Sequence, residues 1–273
     1  MINAIFEYRF LLHAVIASIL SGIVCGIIGT YIVTNRIVFL SGGIAHASFG
    51  GLGLAWYLNF NPILGAAIFS VLTALGIEFF TDKTRVRNDS IIGIWWSMGM
   101  ALGIFFIYLS PGYTPNLMNY LFGSILTIET FDLYLIGALA IVTIMFFTLF
   151  YRPILFISFD SEYVKTHKIP VALFKYILMS LVALSIVFSM KIAGIVLIIS
   201  LLTIPQAIAN QITNNFKHIM FLSILFAILG SLLGLAISWY INVPSGATII
   251  FSLITLFVLV NIVIKIIKNS CIS

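Results

Sequence analysis

Long apolar stretches follow one another along the whole chain, and short polar connections separate them. Each is long enough to cross a hydrocarbon core of about 30 Å as a helix. The pattern predicts nine transmembrane helices, with eight or ten as alternatives: Phe10–Val33, Val38–Leu58, Pro62–Thr81, Ser90–Leu109, Phe131–Tyr151, Val171–Met190, Ile192–Ala209, Ile219–Trp239 and Val243–Ile264. The expected fold class is an all-α integral membrane protein, a polytopic helical bundle forming a single domain over residues 1–273.

Three segments depart from a plain span. The second predicted helix is rich in glycine and holds His46, and the seventh contains Pro205. The apolar stretch Leu117–Leu126 is too short to cross and is predicted to be a half-helix or a re-entrant turn. Lipid offers no hydrogen-bond partners to bare backbone, so such a segment must pack inside the protein.

Basic residues indicate the orientation. They fall on alternate connections, whereas Asn59–Asn61, Pro111–Thr130 and Ile241–Asn242 hold no lysine or arginine. The positive-inside rule makes the basic side cytoplasmic. This predicts a multi-pass protein whose C-terminus is cytoplasmic, with Arg9 and Lys191 as exceptions.

Composition supports the membrane assignment and excludes several function classes. The chain is 62% hydrophobic and 8% charged, whereas about a quarter of a soluble domain is charged. The net charge of +5 lies in short connections, so it does not indicate nucleic-acid binding. Cys25 and Cys271 form no metal-binding spacing and no disulfide framework.

Motifs of catalysis and nucleotide binding are absent. The sequence has no G-x-x-x-x-G-K-[ST] loop, no H-E-x-x-H, no G-x-S-x-G and no C-x-x-C. Glu78 and Asp82 are one turn apart at a cytoplasmic helix end beside Lys83, where a solvated cluster is expected. We therefore predict no enzyme activity and no bound cofactor, and any energy for transport must come from a partner.

His46 is the candidate metal ligand. It lies within SGGIAHASFGG, between Ser41 and Gly51, and an ionisable residue inside a span is a candidate for function. An imidazole binds zinc well and manganese or iron acceptably. The alternative is a histidine that makes one interhelical hydrogen bond in a tightly packed helix, and the residues alone do not separate the two.

Lys191–Gln211 is the second candidate. Pro205 removes a backbone donor and favours a kink, and Ser200, Thr203 and Gln206 can satisfy the freed carbonyls. Broken helices often line transport pathways. The alternative is a kinked helix that only packs.

The longest polar cytoplasmic stretch is Ser158–Pro170, and its pattern is amphipathic. Such a short helix can dock into a groove of a soluble subunit or rest on the membrane surface. Composition alone does not separate these alternatives.

Six stretches in this order resemble the membrane permeases of the ABC importers for manganese, zinc and iron, over most of the chain. They are NRIVFLSGGIAHASFGGLGLAWYL from Asn35, RNDSIIGIWWSMGMALG from Arg87, NYLFGSIL from Asn119, SFDSEYVKTHKIPV from Ser158, KIAGIVLIISLLTIPQAIA from Lys191 and SWYINVPSGATIIF from Ser238.

The resemblance implies a homodimeric type II importer permease in the cell membrane of a prokaryote. It implies two cytoplasmic ATPase subunits and an extracellular metal-binding protein as partners, with the divalent metal as transported substrate. His46 would lie near the metal, and the pathway would be lined by Ser41, Ser48, Ser200, Thr203, Pro205 and Gln206. The segment that receives ATPase motion would include Asp160, Glu162, Tyr163 and Lys165.

One departure concerns the metal. Many members of this family carry an aspartate four residues before the histidine, so that both side chains can hold a hard cation. Here that position is Gly42. The alternative functions are a permease for a metal chelate such as haem or a siderophore, and a channel or carrier that works without ATP.

Overall fold

The structure is a computed structural model, and it describes residues 7–110, 123, 128–159 and 170–270, without the side chains of Lys191, Ile192 and Ser270. These ranges contain α-helices and no β-strand. The helices are α1 (Arg9–Thr34), α2 (Val38–Tyr57), α3 (Pro62–Lys83), α4 (Asn88–Leu109), α5 (Thr130–Leu149), α6 (Tyr151–Phe159), α7 (Val171–Leu201), α8 (Ile204–Ile212), α9 (Phe216–Ile241) and α10 (Ser245–Ser270).

The predicted spans are present as helices. In the described part of the chain, nine helical stretches are long and apolar enough to cross a membrane. They agree with the predicted ranges to within a few residues, and the seventh, Ala193–Ile212, joins the end of α7 to α8. The all-α polytopic bundle is therefore confirmed.

Asparagines set several of the short connections. The Asn61 side chain accepts a 2.9 Å hydrogen bond from the Ile63 N–H at the start of α3, where Pro62 opens the helix. The Asn215 side chain accepts a 3.0 Å bond from the Lys217 N–H at the start of α9. Both satisfy a helix N-terminus whose amides have no partner within the helix. Asn242 ends α9 in the left-handed conformation, φ 57° and ψ 45°, which asparagine tolerates.

Helix α7 lies at the centre of the bundle. It packs against α1, α2, α3, α5 and α10. On one side α2 contacts both α3 and α4, and on the other α9 contacts α1, α8 and α10. Ile28, Ile44, Ile186 and Ile195, all at most 1% exposed, belong to the apolar core between these groups.

The seventh span is broken twice. Gly194 has φ 77° and ψ 160°, far from helical values, inside α7. A second break at Leu202–Thr203 separates α7 from α8. Pro205 lies in the first turn of α8, where a proline is tolerated because that amide has no helical acceptor. The helix therefore breaks at Leu202–Thr203, before Pro205, the residue from which a kink was predicted.

Candidate metal pathway

His46 is the one partly exposed residue of α2 between Leu40 and Gly53. Its ring stacks on that of Trp96 of α4, with 4.4 Å between centroids and 5° between planes. The Nδ1 atom is buried and has no hydrogen-bond partner among the described residues. A partly exposed imidazole held against an aromatic ring is a candidate ligand for a passing cation.

Glycines bring the backbones of α2 and α4 into contact and so place His46 beside Trp96. A Cβ atom at Gly99 would lie 2.5 Å from Cα of Ala47. A Cβ at Gly103 would lie 2.5 Å from the carbonyl oxygen of Phe49. Small residues permit this approach in membrane helices. The contact between α2 and α4 therefore leaves no room for a side chain at Gly99 or Gly103.

Gly42 is different from the glycines around it. A Cβ atom there would meet only Cδ1 of Ile199, at an ordinary 3.7 Å. The position is one helical turn before His46, on the same side of α2. Packing therefore does not demand a glycine at the place where the family aspartate would stand.

The two serines of this segment lie inside the protomer. Ser41 and Ser48 are fully buried. The Ser41 hydroxyl donates to the Val38 carbonyl at 2.7 Å, and the Ser48 hydroxyl donates to the Ala45 carbonyl at 2.6 Å. In this conformation neither side chain is exposed to a pathway.

The break between α7 and α8 lies next to the same region through Ile199. Ser200 and Thr203 are partly exposed, and the Thr203 hydroxyl donates to the Ile199 carbonyl at 2.7 Å. The Ser200 hydroxyl likewise donates to a carbonyl of its own helix, that of Val196, at 3.2 Å. The Ile199 side chain beside Gly42 brings the end of α7 next to α2, although the two are far apart in the sequence.

Pro205 and Gln206 are buried at the start of α8. The Gln206 amide donates to the Cys25 carbonyl at 2.8 Å and to the Leu201 carbonyl at 3.2 Å. A helix interruption frees carbonyls that lipid cannot satisfy. Gln206 satisfies one of them and ties the break to α1.

Comparison with known proteins identifies the family of the chain. The sequence profile described as the ABC 3 transport family matches residues 7–264. The chain belongs to this family. It is a multi-pass permease of the metal-type ABC importers, as the resemblance predicted.

Several relatives match this permease over most of their length. It is similar to a Synechocystis membrane protein, slr2045, with 41% identity over 89% of this chain and 87% of the relative. It is similar to the manganese transport system membrane protein MntC of Halalkalibacterium halodurans, with 34% identity over 94% and 88%. Its fold matches the solved structure of PsaBC from Streptococcus pneumoniae in complex with Fab, with a TM-score of 0.84, 31% identity, and 95% and 93% coverage.

The permease has no multi-ligand metal cluster within the described ranges. No group of three or more His, Cys, Asp and Glu residues is placed to hold a metal ion there. The role of His46 as a metal ligand stays a prediction, and no cluster of further ligands accompanies it in the described part of the chain. A permease pathway needs only weak coordination, because a tight site would trap the ion.

Sequence analysis did not identify Trp96, and it misjudged the environment of Glu78. Trp96 gave no signal beyond its aromatic character. The expectation of a solvated Glu78 was wrong, because this residue is 6% exposed and its Oε1 lies 3.3 Å from Nζ of Lys175. A lone lysine in an apolar stretch of α7 was the available clue.

The predicted ATPase-coupling residues lie outside the described residues. They are Asp160, Glu162, Tyr163 and Lys165, and the predicted re-entrant stretch Leu117–Leu126 is described only at Gly123. The flanks of the first segment, Ser158 and Pro170, are described.

Proposed function

We propose that this permease moves divalent metal ions, manganese foremost and zinc or iron as alternatives, into a prokaryotic cytoplasm by alternating access. The observation that carries the proposal is the partly exposed imidazole of His46, which lies in the middle of α2 and stacks on Trp96. The naming of the relative MntC as a manganese transport protein supports manganese. An imidazole together with water or carbonyl oxygens suits this borderline-hard cation.

The proposed site needs a second copy of the chain. One imidazole binds a divalent ion too weakly to select it, and His46 opens toward the outside of the protomer. A two-fold axis beside α2 would bring a second His46 to the same ion. The ion would then pass between two identical walls in the membrane.

The wall of the pathway in this proposal combines α2 with the end of α7. Ser200 and Thr203 are partly exposed and offer hydroxyl oxygens. Ser41, Ser48, Pro205 and Gln206 are buried in this conformation, so they would reach the ion only after the helices rearrange. Alternating access supplies such a rearrangement.

The energy in this proposal comes from two copies of a cytoplasmic ATPase subunit. The sequence contains no phosphate-binding loop. Residues 158–170 would form the docking helix, with Asp160, Glu162, Tyr163 and Lys165 in contact with the ATPase. An extracellular binding protein would deliver the metal on the side opposite the cytoplasmic C-terminus, and lipid would surround the dimer.

His46→Ala is the test. The permease is reconstituted with its ATPase in proteoliposomes, and manganese uptake is measured with and without ATP. We expect uptake to fall at least about tenfold, because the ligand is lost while the glycine packing of α2 is untouched. His218→Ala, at an exposed histidine outside the pathway, is the matched control.

Three results would refute the proposal. Normal uptake by His46→Ala would remove the ligand role. Uptake by the unaltered protein without nucleotide hydrolysis would indicate a channel or carrier instead. Uptake of chelated metal in preference to the free ion would indicate a chelate permease.

A further inference from the structure

Polar contacts anchor both helices that flank residues 160–169. On one side, the Asn35 amide at the end of α1 donates to the Ser158 hydroxyl of α6 at 3.2 Å. On the other side, Nζ of Lys175 in α7 lies 3.3 Å from Oε1 of Glu78 and 3.7 Å from Oδ1 of Asp82, both in α3. Polar side chains thus link α6 to the end of α1 and α7 to α3. Apolar packing alone does not require such polar contacts.

The Lys175 cluster, formed by Lys175, Glu78 and Asp82, is more buried than an ordinary surface ion pair. The side chains of Glu78 and Lys175 are 8% and 29% exposed. The pair Arg87–Asp89 has side chains that are 85% and 68% exposed. A carboxylate withdrawn from water is stable only beside a cation or donors, so Glu78 and Lys175 hold α3 and α7 in one register.

Helix α3 is in backbone contact with the helix that bears His46. A Cβ atom at Gly51 of α2 would lie 2.7 Å from the carbonyl carbon of Gly65 and 2.6 Å from Cβ of Phe69. Packed interiors transmit displacement because they have no free space to absorb it. A movement of α3 therefore carries α2 with it.

We propose that Lys175 is a positioning residue that passes movement of the start of α7 through Glu78 and Asp82 to α3, and through the α2–α3 contact to His46. This inference rests on the proposed function, in which an ATPase drives transport from the cytoplasmic side. Lys175 lies in the second turn of the helix that begins at Val171, directly after residues 160–169. Lys175 links that helix to α3 through ion pairs with both Glu78 and Asp82.

The test measures metal imported and ATP hydrolysed in the same proteoliposomes containing permease and ATPase. Glu78→Gln and Lys175→Met remove the charges, and the exchange Glu78→Lys with Lys175→Glu restores a pair of opposite sign. We expect each single variant to lower the manganese imported per ATP about tenfold. The exchange should recover part of this ratio, since the two helices are again linked by opposite charges.

Two further variants complete the design. Asp82→Asn removes the more distant and more exposed partner and should lower the ratio about twofold without endangering the fold. Asp89→Asn breaks the exposed pair with Arg87 and should leave the ratio unchanged, as a matched control.

The outcomes are distinguishable. If the unaltered complex imports no metal with ATP, the proposed function fails before any variant is compared. If Glu78→Gln and Asp82→Asn both hydrolyse ATP and import metal in the normal ratio, the positioning role is wrong. A loss of uptake that follows only the loss of folded protein, seen by thermal unfolding in detergent, also overturns it, because a purely structural pair leaves the ratio intact.

Discussion

Helix α2 and the α7–α8 region both place polar groups inside the membrane, and they are built in opposite ways. Helix α2 is continuous from Val38 to Tyr57 and is packed against α4 with backbone touching backbone. The α7–α8 region is interrupted at Gly194 and again at Leu202–Thr203. Its freed carbonyl at Leu201 is satisfied by the Gln206 side chain.

Under the proposed function, this difference would separate a fixed ligand from a pathway wall that can change shape. A coordinating side chain must keep its place to within a fraction of an ångström, which rigid, dense packing provides. A pathway that opens alternately to two sides needs a segment with few internal backbone hydrogen bonds. We therefore expect α2 to keep its shape during transport and α7–α8 to change shape.

The α2–α4 contact should be the most sensitive to an added side chain. Gly103→Val places a Cβ 2.5 Å from the Phe49 carbonyl oxygen, and neither backbone can move away. We expect a loss of stability of about 3 kcal/mol or more, with little folded protein by size-exclusion chromatography in detergent. Gly93→Val is the control on the same helix, because a Cβ there meets nothing within 4 Å. Equal loss in both would mean that valine itself is not tolerated in α4.

A substitution at Gly194 should destabilise the protein less, because the unusual backbone conformation is confined to this one residue. Gly194→Ala forces a Cβ into φ 77° and ψ 160°, a region that only glycine adopts readily, at a cost of about 1–3 kcal/mol. Thermal unfolding measures this cost. At Gly137 of α5 a Cβ meets only Leu20, at 3.8 Å, so Gly137→Ala should be neutral. A neutral Gly194→Ala would show that the helix can continue through this point.

Loss of the Gln206 amide should have a smaller effect still. Gln206→Met keeps the length of the side chain and removes the hydrogen bonds to the Cys25 and Leu201 carbonyls. We expect a cost of about 1 kcal/mol and faster amide hydrogen exchange in α8, with α2 unchanged. Gln211→Met, at an exposed position of the same helix, is the control. Faster exchange in α2 as well would contradict the separation of the two regions.

A carboxylate at Gly42 should be accepted sterically and should strengthen metal binding. A Cβ there meets only Ile199, at 3.7 Å, but the position is buried, so without a bound cation Gly42→Asp should cost about 1–3 kcal/mol of stability from desolvation of the carboxylate. It should raise manganese affinity about tenfold, as measured by metal competition on the purified complex. At Gly43 a Cβ would clash with the Ile92 side chain, so Gly43→Asp should misfold. Unchanged affinity in a folded Gly42→Asp protein would place the ion elsewhere.

The sequence predicted the spans well because hydropathy is averaged over many residues. The helix ends were predicted less well, since α7 runs through the predicted boundary near Met190 to Leu201 and α10 extends to Ser270. His46 became a candidate because an ionisable residue inside a span is rare, and its role as a ligand stays a prediction. The sequence could not predict the His46–Trp96 stack or the Lys175–Glu78 pair, since each depends on how two helices meet in space. It drew attention to Pro205 rather than Gly194, because a proline has an obvious backbone effect and a glycine adopts unusual angles only when its surroundings require them.

The unfilled space beside Gly42 also bears on how such permeases diversify. At the other four glycines of α2, Gly43, Gly50, Gly51 and Gly53, a new side chain would clash with a neighbouring helix. At Gly42 a Cβ atom clashes with no neighbour, so a lineage could gain or lose a side chain there without first changing the helix contacts. Under the proposed function, a change at this single codon would alter the preference for one nutrient ion over another while the rest of the membrane scaffold stays as it is.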